Sequence, residues 1–449
     1  MPDTSRLSTV EPGVEDLAAA VREVAVPLGN ARDLDALMEM VGDARFVLLG
    51  EASHGTHEFY TWRTEISKRL IREKDFSFLA VEGDWPDCYR VNRYVKGYPE
   101  SGTSAVEVLH AFDRWPTWMW ANREIVELTE WLRRHNAGAS ADRRVGFYGL
   151  DVYSLYESMA EVVRYLERVD PAAAAQARRA YTCFEPFAED AVEYARATAL
   201  VPTSCEDEAV EMLRALRSRA TAYASDGREA YFDAEQNALI AHNAERYYRT
   251  MIRGGPASWN VRDHHMHETL ERLVAFHGER AKAIVWEHNT HIGDARFTDM
   301  ARAGMVNVGQ LVRQARERDG VVLVGFGTYR GTVIAADEWG LPMRRMRVPE
   351  ARSGSWEDVL HRAGEPSALL RFGRGAHASA LAALDEPRGH RAIGVVYDPR
   401  RERWGNYVPT LLTGRYDAFI FVDETRALDP LHMPERIDGE APETYPSGM

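Results

Sequence analysis

The segment VLLGEASHGTHEFYTWR, from Val47 to Arg63, changes within a few residues from apolar to ionisable. Its apolar run ends at Gly50, and the following positions carry two carboxylates and two imidazoles, at Glu51, His54, His57 and Glu58. A short run that is apolar at every position is typical of a strand covered on both faces, as in a parallel sheet flanked by helices. Ligands of such sheets bind beyond the carboxyl ends of the strands. The segment therefore predicts an α/β fold with a functional site in the loop after this strand.

Similar apolar runs recur along the chain and predict the other strands of the sheet. The complete set of runs lies at 45–50, 76–82, 144–151, 282–289, 321–327, 391–398 and 416–424. Between the runs, apolar residues recur at the spacing of helices, as they do after the first run at Phe59, Trp62, Ile66 and Leu70. This alternation predicts a mostly parallel central sheet flanked by helices.

The alternation stops near residue 153 and resumes near 252, and the intervening chain is rich in Ala, Glu and Arg. We expect three or four packed helices there, forming an all-helical lobe inserted into the α/β core. A later stretch from about 340 to 390, rich in Arg, Gly and Pro, is predicted to be irregular. The predicted organisation is a disordered N-terminus (1–12), the first part of the core (13–152), the helical lobe (153–252), the second part of the core (253–432) and a C-terminal tail (433–449).

Composition restricts the class of protein. The 449 residues are 45% hydrophobic and 28% charged, as in soluble globular proteins. The net charge of −14 argues against general binding to nucleic acid or to an anionic membrane. No signal peptide or membrane-spanning run is visible in the sequence. The cysteines (Cys88, Cys183 and Cys205) include no CxxC pair and leave one unpaired, which favours a reducing cytoplasm over a disulfide-stabilised secreted protein.

Ionisable residues follow several successive predicted strands. They are Glu51 after the first, Glu82 with Asp84 after the second, Asp151 after the third, and Glu287 with His288 after the fourth. Any one of them could simply cap a helix. Because the carboxyl ends of parallel strands lie at one edge of the sheet, the whole set predicts a shared site if the strands are neighbours.

Two arginines fall on the apolar faces of predicted helices. Arg63 and Arg262 each share the three-to-four spacing of neighbouring apolar residues. A buried guanidinium needs carboxylate partners, and Glu51 and Glu82 are the candidates for Arg63. The alternative is an arginine at the edge of the helix face whose charged end reaches water.

Histidines and tryptophans complete the set of candidates. His288 and His291 form a His-x-x-His pair that could bind a metal, transfer protons or belong to the core. The tryptophans that could line an apolar cleft or simply lie in the core are Trp85, Trp115, Trp118 and Trp120. The nucleotide motifs GxGxxG and GxxxxGK[ST] and the nucleophile motif GxSxG are absent. A histidine that activates water, oriented by a carboxylate and assisted by an arginine, is therefore the chemistry that these residues favour.

Several motifs in this chain together resemble the erythromycin esterase family, in particular its bacterial homologue branch. In order, they are GExxHGTHEFYxxR, VEGDWPD, FDRWPTWMWANRE, GLDVYSLYES, WNVRD, WEHNTHIGD and ERWGNYVPTLLTGRYDAFIFVDET. The resemblance covers the chain from about residue 30 to 432. It implies a hydrolase that opens macrolide lactones by attack of water, with an α/β core and a helical lobe over its cleft.

The resemblance also implies roles for individual residues. The catalytic residues that it indicates are His54 as general base, Glu51, Glu82, Arg63 and His288. With those from the strand-end argument, the predicted substrate-binding residues are His291, Arg262, Asp151, Asp84, Trp85 and Trp118.

Three functions are compatible with these patterns. The first is a metal-independent carboxylic ester hydrolase without a cofactor, acting on a small-molecule ester or lactone. In it His54 deprotonates water, Glu51 orients that base, and Arg63 with His288 and Glu82 stabilises the oxyanion. The second uses His54, Glu51, His288 and Glu82 as ligands of a divalent metal. The third is a protein that binds a polyol or polyketide without cleaving it.

Overall fold

The computed structural model describes residues 13–187, 191–200, 204–223, 227–252, 255–372 and 378–431. The predicted N-terminus (1–12) and C-terminal tail (433–449) lie outside the described residues. In chain order, strands β1 to β11 are Ala25–Pro27, Phe46–Leu49, Phe78–Asp84, Gly146–Asp151, Ala283–Trp286, Val321–Ala335, Arg344–Val348, Ser367–Arg371, Pro387–Arg391, Tyr407–Leu411 and Ala418–Thr425.

The helices are labelled in the same way. Helices α1 to α19 are Val14–Val24, Asp35–Val41, His57–Lys74, Trp85–Val95, Ala105–Leu109, Arg123–Ala137, Leu155–Val169, Pro171–Tyr181, Ala191–Leu200, Glu206–Ser218, Ala220–Tyr223, Arg228–Met251, Pro256–His277, Asn289–Ile292, Val308–Arg316, Trp356–Ala363, Ala378–Ala383, Glu402–Gly405 and Leu412–Arg415. None of the helices in the described ranges is both long enough and apolar enough to cross a membrane.

Nine strands form the central sheet, in the order β1-β8-β11-β6-β2-β5-β3-β4, with β7 paired to β6. Neighbours from β11 to β4 in this order run parallel, whereas β8, at one side, pairs antiparallel with both β11 and β1. Strands β9 and β10 form a separate two-stranded sheet. The predicted fold class, a mostly parallel sheet flanked by helices, is confirmed.

Strand β2 shows why its sequence is apolar at every position. Val47 and Leu49 pack in the core on the side of α2, α3 and α6. Phe46 and Leu48 point to the opposite core, on the side of α1, α13, α15 and α16. Since successive strand residues face opposite sides, a strand covered on both faces has to be apolar throughout.

Two predictions about the second half of the chain are wrong. The apolar run 391–398 is not a strand of the central sheet, because beyond Arg391 it makes only isolated bridges, from Ile393 to Ser53 and from Val396 to Ala336. It is apolar because it covers the loop that follows β2. The stretch from 340 to 390 is not irregular, since it contains β7, α16, β8, α17 and the start of β9. Strand β7 is rich in arginine because most of its residues are exposed.

Among its described residues, the chain between β4 and α13 forms helices α7 to α12 and no strand. These helices, more numerous than predicted, enclose a hydrophobic core of their own, to which Val162, Leu166 and Tyr247 contribute. Cys183 and Cys205 form a disulfide there, contrary to the expectation of reduced cysteines. The two residues are 22 positions apart, and the packing of the helices brings their Cα atoms to 5.8 Å.

Buried His265 on α13 makes the stability of the packing between α12 and α13 dependent on pH. Asn243 donates to its Nδ1 at 2.8 Å, and its Nε2 lies 3.4 Å from the hydroxyl of Thr269. Burial lowers the pKa of His265 from the ordinary value of 6.5 to about 4. Between pH 6.5 and pH 4 this histidine is protonated in the unfolded chain and neutral in the folded chain. Its contribution to the free energy of unfolding is therefore complete above pH 6.5 and is lost as the pH falls toward 4.

We therefore expect the free energy of unfolding to fall by up to about 3 kcal/mol between about pH 6.5 and pH 4 on account of His265 alone. Urea unfolding of the wild type and of His265→Gln at several pH values measures this contribution. The variant should show a shallower decline, and equal slopes for the two proteins would contradict the prediction.

Candidate active site

The predicted strand-end residues lie together because β2, β5, β3 and β4 are consecutive in the sheet. Glu51, Glu82, Asp151 and His288 follow these strands or end them, and all four are buried. The turn after β2 is tight, since a Cβ atom at Gly50 would lie 2.1 Å from the side-chain oxygen of Asn289. Only glycine therefore allows the loop after β2 to pack against the loop after β5.

Glu51 holds both His54 and Arg63. Its Oε1 lies 2.9 Å from His54 Nδ1, and its Oε2 accepts from Arg63 Nη2 at 2.6 Å. The guanidinium of Arg63 also packs over the rings of Tyr60 and Trp286, at 4.4 and 4.6 Å. Because each oxygen of Glu51 has its own partner, the carboxylate is fixed, and it fixes the ring of His54. Nδ1 is occupied by this bond, so proton transfer between His54 and the pocket involves Nε2.

Arg63 does not reach Glu82, contrary to the prediction, and it does not line the pocket. The reason is the alternation of side chains along the strands. Glu51 lies on the side of Leu49, which packs against α3, whereas Glu82 lies on the side of Ala80, which packs against α13. Arg63 belongs to α3 and therefore meets Glu51 only.

Arg262 on α13 is the cation that meets Glu82. Its Nε and Nη2 donate to the two oxygens of Asp151 at 2.9 and 2.7 Å. Nη2 also donates to Glu82 Oε1 at 2.8 Å, and the backbone N–H of His288 donates to Oε2 at 2.7 Å. Strands β3 and β4, the loop after β5 and helix α13 are thus joined at one buried charge cluster.

The charges in this cluster keep Glu82 ionised. Burial by itself raises the pKa of a carboxyl group, but here the electrostatic effects of His291, Arg262 and His54, with the hydrogen bond from the backbone of His288, outweigh burial. The pKa of Glu82 is therefore held well below its usual range. Burial likewise opposes ionisation of Asp151, and Arg262 outweighs it and lowers the pKa of that residue.

His288 lies beside His54, with their ring centroids 4.9 Å apart. The backbone N–H of Thr290 donates to its Nδ1 at 3.3 Å, so the proton of a neutral ring lies on Nε2. Burial, followed by repulsion from His54, lowers the pKa of His288 well below its ordinary value. His288 is therefore a neutral imidazole that offers one N–H donor.

His291 occupies a different position from His288, although the two are three residues apart. Its Nδ1 lies 2.9 and 3.1 Å from the two oxygens of Asp263. Its Nε2 lies 3.1 Å from Arg262 Nη1 and 3.4 Å from Glu82 Oε1. The His-x-x-His pair therefore does not converge on a common point.

A narrow pocket opens beside these groups. Its ionisable lining includes His54, Glu82, Asp84, Asp151, Arg114 and Arg262. Its aromatic lining includes Phe112, Trp115, Trp120, Tyr153 and Trp339. The cavity volume of about 50 Å³ is enough for water molecules or for the reacting group of a substrate.

Asp84 lies in the pocket wall, where Arg114 Nε donates to its Oδ2 at 2.5 Å. Trp85 and Trp118 do not line the pocket, contrary to the prediction for substrate-binding residues. Trp85 begins α4, stacks on Tyr148 with ring centroids 5.5 Å apart and lies in the core on the side of α13. Trp118 lies in the opposite core, behind Trp115.

Several residues of the site carry little or no signal in the sequence. Asp263 directly follows Arg262 in the WNVRD motif, and its position beside a buried arginine was the only signal for it. Arg114, Tyr153 and Trp339 reach the pocket from irregular segments, where no periodic pattern marks the direction of a side chain.

The second hypothesis requires a set of metal ligands, and the described residues include no group of three or more His, Cys, Asp or Glu side chains that could hold a metal ion. Nδ1 of His54 is bonded to Glu51, and Glu82 is bonded to Arg262 and to the backbone of His288. The proposed ligands are thus engaged with protein partners, and they do not fit a divalent ion.

Comparison with known proteins identifies the family. The family model described as Erythromycin esterase matches residues 71–425. The chain belongs to the erythromycin esterase family. It is also similar to "Putative hydrolase YbfO" of Bacillus subtilis (strain 168), with 20% identity over 410 residues that span 87% of this chain and 86% of the relative. The resemblance seen in the motifs is confirmed, and this member of the erythromycin esterase family is a hydrolase.

Solved structures share the fold of this erythromycin esterase family hydrolase. A protein from Bacillus cereus has a TM-score of 0.77 and 20% identity, covering 94% of this chain and 100% of that chain. A mutant of the erythromycin esterase EreC in its open conformation has a TM-score of 0.65 and 17% identity, covering 92% of this chain and 96% of that chain. At such identities the likeness concerns the fold.

Proposed function

We propose that this hydrolase cleaves carboxylic esters, opening a lactone or a similar ester by attack of water with His54 as general base. The observation that carries the proposal is the bond between Glu51 and His54 Nδ1, at 2.9 Å, in a loop that borders the pocket. A carboxylate that holds one ring nitrogen sets the tautomer and orientation of a histidine that accepts a proton at the other.

The reaction begins with a water molecule between His54 and the ester carbonyl. His54 Nε2 takes one proton from the water, and the water oxygen forms a bond to the carbonyl carbon. The electron pair of the carbonyl bond moves to its oxygen, which becomes an oxyanion. When the oxyanion collapses, the bond to the alkoxy oxygen breaks, and the imidazolium of His54 returns its proton to that oxygen. The products are a carboxylic acid and an alcohol.

Arg262 is the group placed to stabilise the oxyanion. Arg262 lines the pocket, whereas Arg63 is enclosed behind Glu51. The oxyanion role proposed for Arg63 from the sequence therefore passes to Arg262, and Arg63 holds Glu51. His288 lies beside His54 but does not line the pocket. Donors fixed before the reaction stabilise the charge that develops in the transition state.

The substrate that we propose is a macrolide lactone or a comparable ester with an extensive apolar surface. The aromatic side chains that line the pocket offer such a ligand flat apolar contacts. Because the cavity is small, the reacting ester group enters it, and the rest of a large substrate lies outside.

The proposal is tested by incubating the purified protein with macrolide lactones, smaller lactones and linear esters. Mass spectrometry then detects products heavier by one water molecule. Hydrolysis by the wild type and not by His54→Ala supports the proposal. Loss of activity with a chelator would favour the metal-dependent alternative, and recovery of bound but unchanged ligand would favour the binding protein.

Glu51→Gln is expected to lower kcat for the hydrolysed ester by about 10²-fold with little change in KM. The amide nitrogen of glutamine can donate to His54 Nδ1, which favours the tautomer that carries its proton on Nε2 and cannot act as a base there. Steady-state kinetics measure the effect. A change in KM alone would contradict this role.

A further inference from the structure

Asp263 is a buried carboxylate that the proposed reaction does not use. It follows Arg262 on α13, and its side chain is fully enclosed. Both of its oxygens lie within hydrogen-bond distance of His291 Nδ1, at 2.9 and 3.1 Å. The backbone N–H of Val308, at the start of α15, donates to Oδ1 at 3.1 Å. The carboxylate therefore has a fixed position between two helices and the loop after β5.

The ring of His291 is also held from its face. Trp259, one helical turn before Asp263, stacks on it with ring centroids 4.5 Å apart and an angle of 6° between the planes. Trp259 is held in turn, because its Nε1 donates to the carbonyl of Val306 at 2.7 Å. The orientation of His291 is thus set by hydrogen bonds to Asp263 and Arg262 and by one ring contact, all from α13.

The consequence of this arrangement lies at the other ring nitrogen. Because Nδ1 donates to Asp263, a neutral His291 presents Nε2 as an acceptor, and Arg262 Nη1 donates to it at 3.1 Å. When Nε2 gains a proton it becomes a donor, and Glu82 Oε1 lies 3.4 Å away. Through Nε2, His291 therefore contacts the two residues Arg262 and Glu82, which border the pocket.

We propose that Asp263 is a positioning residue that holds His291 with Nε2 toward Glu82 and Arg262, so that the ring of His291 keeps these two side chains in place beside the pocket during hydrolysis. This role rests on the proposed function, whereas the orientation of the ring does not.

Charged groups surround the ring of His291 at this position. The ionisable groups that face it are Asp263, Glu82, Arg262 and the neighbouring His288. Burial and Arg262 disfavour the charged ring, and Asp263 and Glu82 outweigh them, which raises the pKa of His291 above its ordinary value.

The first test reads the histidine directly. In protein with ¹⁵N-labelled histidine, NMR spectra that are assigned with His291→Ala report which nitrogen carries the proton. The wild type should show a proton on Nδ1 of His291. In Asp263→Asn the amide oxygen accepts from Val308 and the amide nitrogen faces Nδ1, so the neutral ring should carry its proton on Nε2. A wild-type ring protonated only on Nε2, or an unchanged tautomer in the variant, would overturn the proposal.

The second test asks whether Asp263 acts through His291. With an ester that the wild type hydrolyses, Asp263→Asn should lower kcat by about 10²-fold and alter the pH profile. In the His291→Ala background the same substitution should not lower kcat further, because the effects of substitutions at residues that act as a unit are not additive. An equal loss in both backgrounds would assign Asp263 a purely structural role.

Asp294→Asn is the matched control. Asp294 is also a buried carboxylate close to His291 in sequence, but its partners are Arg296 and Arg313. The Asp294→Asn substitution should leave kcat and the tautomer of His291 unchanged. If no ester is hydrolysed by the wild type, the proposed function fails, while the NMR spectra still show whether Asp263 orients His291.

Discussion

Replacing His54 by alanine is expected to reduce ester hydrolysis by about 10⁴-fold, the upper part of the range for a general base. The variant loses the imidazole that lines the pocket and is held by Glu51. Its fold should persist, because His54 lies in a loop and the bond from Arg63 to Glu51 does not involve it. Rates of hydrolysis by wild type and variant, with circular dichroism and the thermal midpoint as checks of folding, measure the effect.

His57→Ala provides the matched control for this experiment. His57 begins α3 three residues later, and its ring bonds to Glu124 and Arg426 rather than to residues of the pocket. Its removal should leave the rate within a few-fold of the wild type. If His54→Ala retained turnover while remaining folded, His54 would not be the general base.

Replacing Arg262 by leucine is expected to destabilise the protein by about 3–5 kcal/mol and to abolish hydrolysis. The substitution leaves Glu82 and Asp151 buried without the guanidinium that neutralises them, and an uncompensated buried charge carries a cost of this size. It also removes the contact of the guanidinium with the ring of Tyr153, at 4.8 Å. Urea unfolding followed by fluorescence measures the change in stability.

Arg296→Leu is the control for Arg262→Leu. Arg296 also pairs with a buried carboxylate, Asp294, but its own side chain is 46% exposed, and Arg313 remains as a second partner of Asp294. Its loss should therefore cost no more than about 1 kcal/mol. Similar losses for the two variants would show that the cluster around Arg262 contributes no more than a surface ion pair.

The sequence alone was sufficient to predict those strands that are covered on both faces. Strand β2 is an example, because all of its residues are buried and its sequence is therefore apolar without interruption. Strand β7 was not recognised, since it lies at the periphery and alternates arginines with buried residues. The run at 391–398 was misread, because an apolar segment that covers a loop has the same composition as a strand.

The presence of a charged or titratable residue at the end of each neighbouring strand followed from sequence, as did the burial of Arg63 and Arg262. The pairing of these arginines with particular carboxylates did not follow from the sequence. Whether Arg63 meets Glu51 or Glu82 depends on which helix covers which face of the sheet, and no local spacing contains that information.

By itself, the sequence of this protein determined an α/β sheet, the loop that carries Glu51 and His54, and the membership of the family, because local periodicity and local motifs express all three. Only the tertiary structure decided that Arg262 rather than Arg63 borders the pocket, that Asp263 holds His291, and that Trp85 and Trp118 lie in the core. These outcomes depend on contacts between elements far apart in the chain, such as β3 and α13. The physical reason is that burial, charge neutralisation and side-chain direction are set jointly by all the elements that meet at one point.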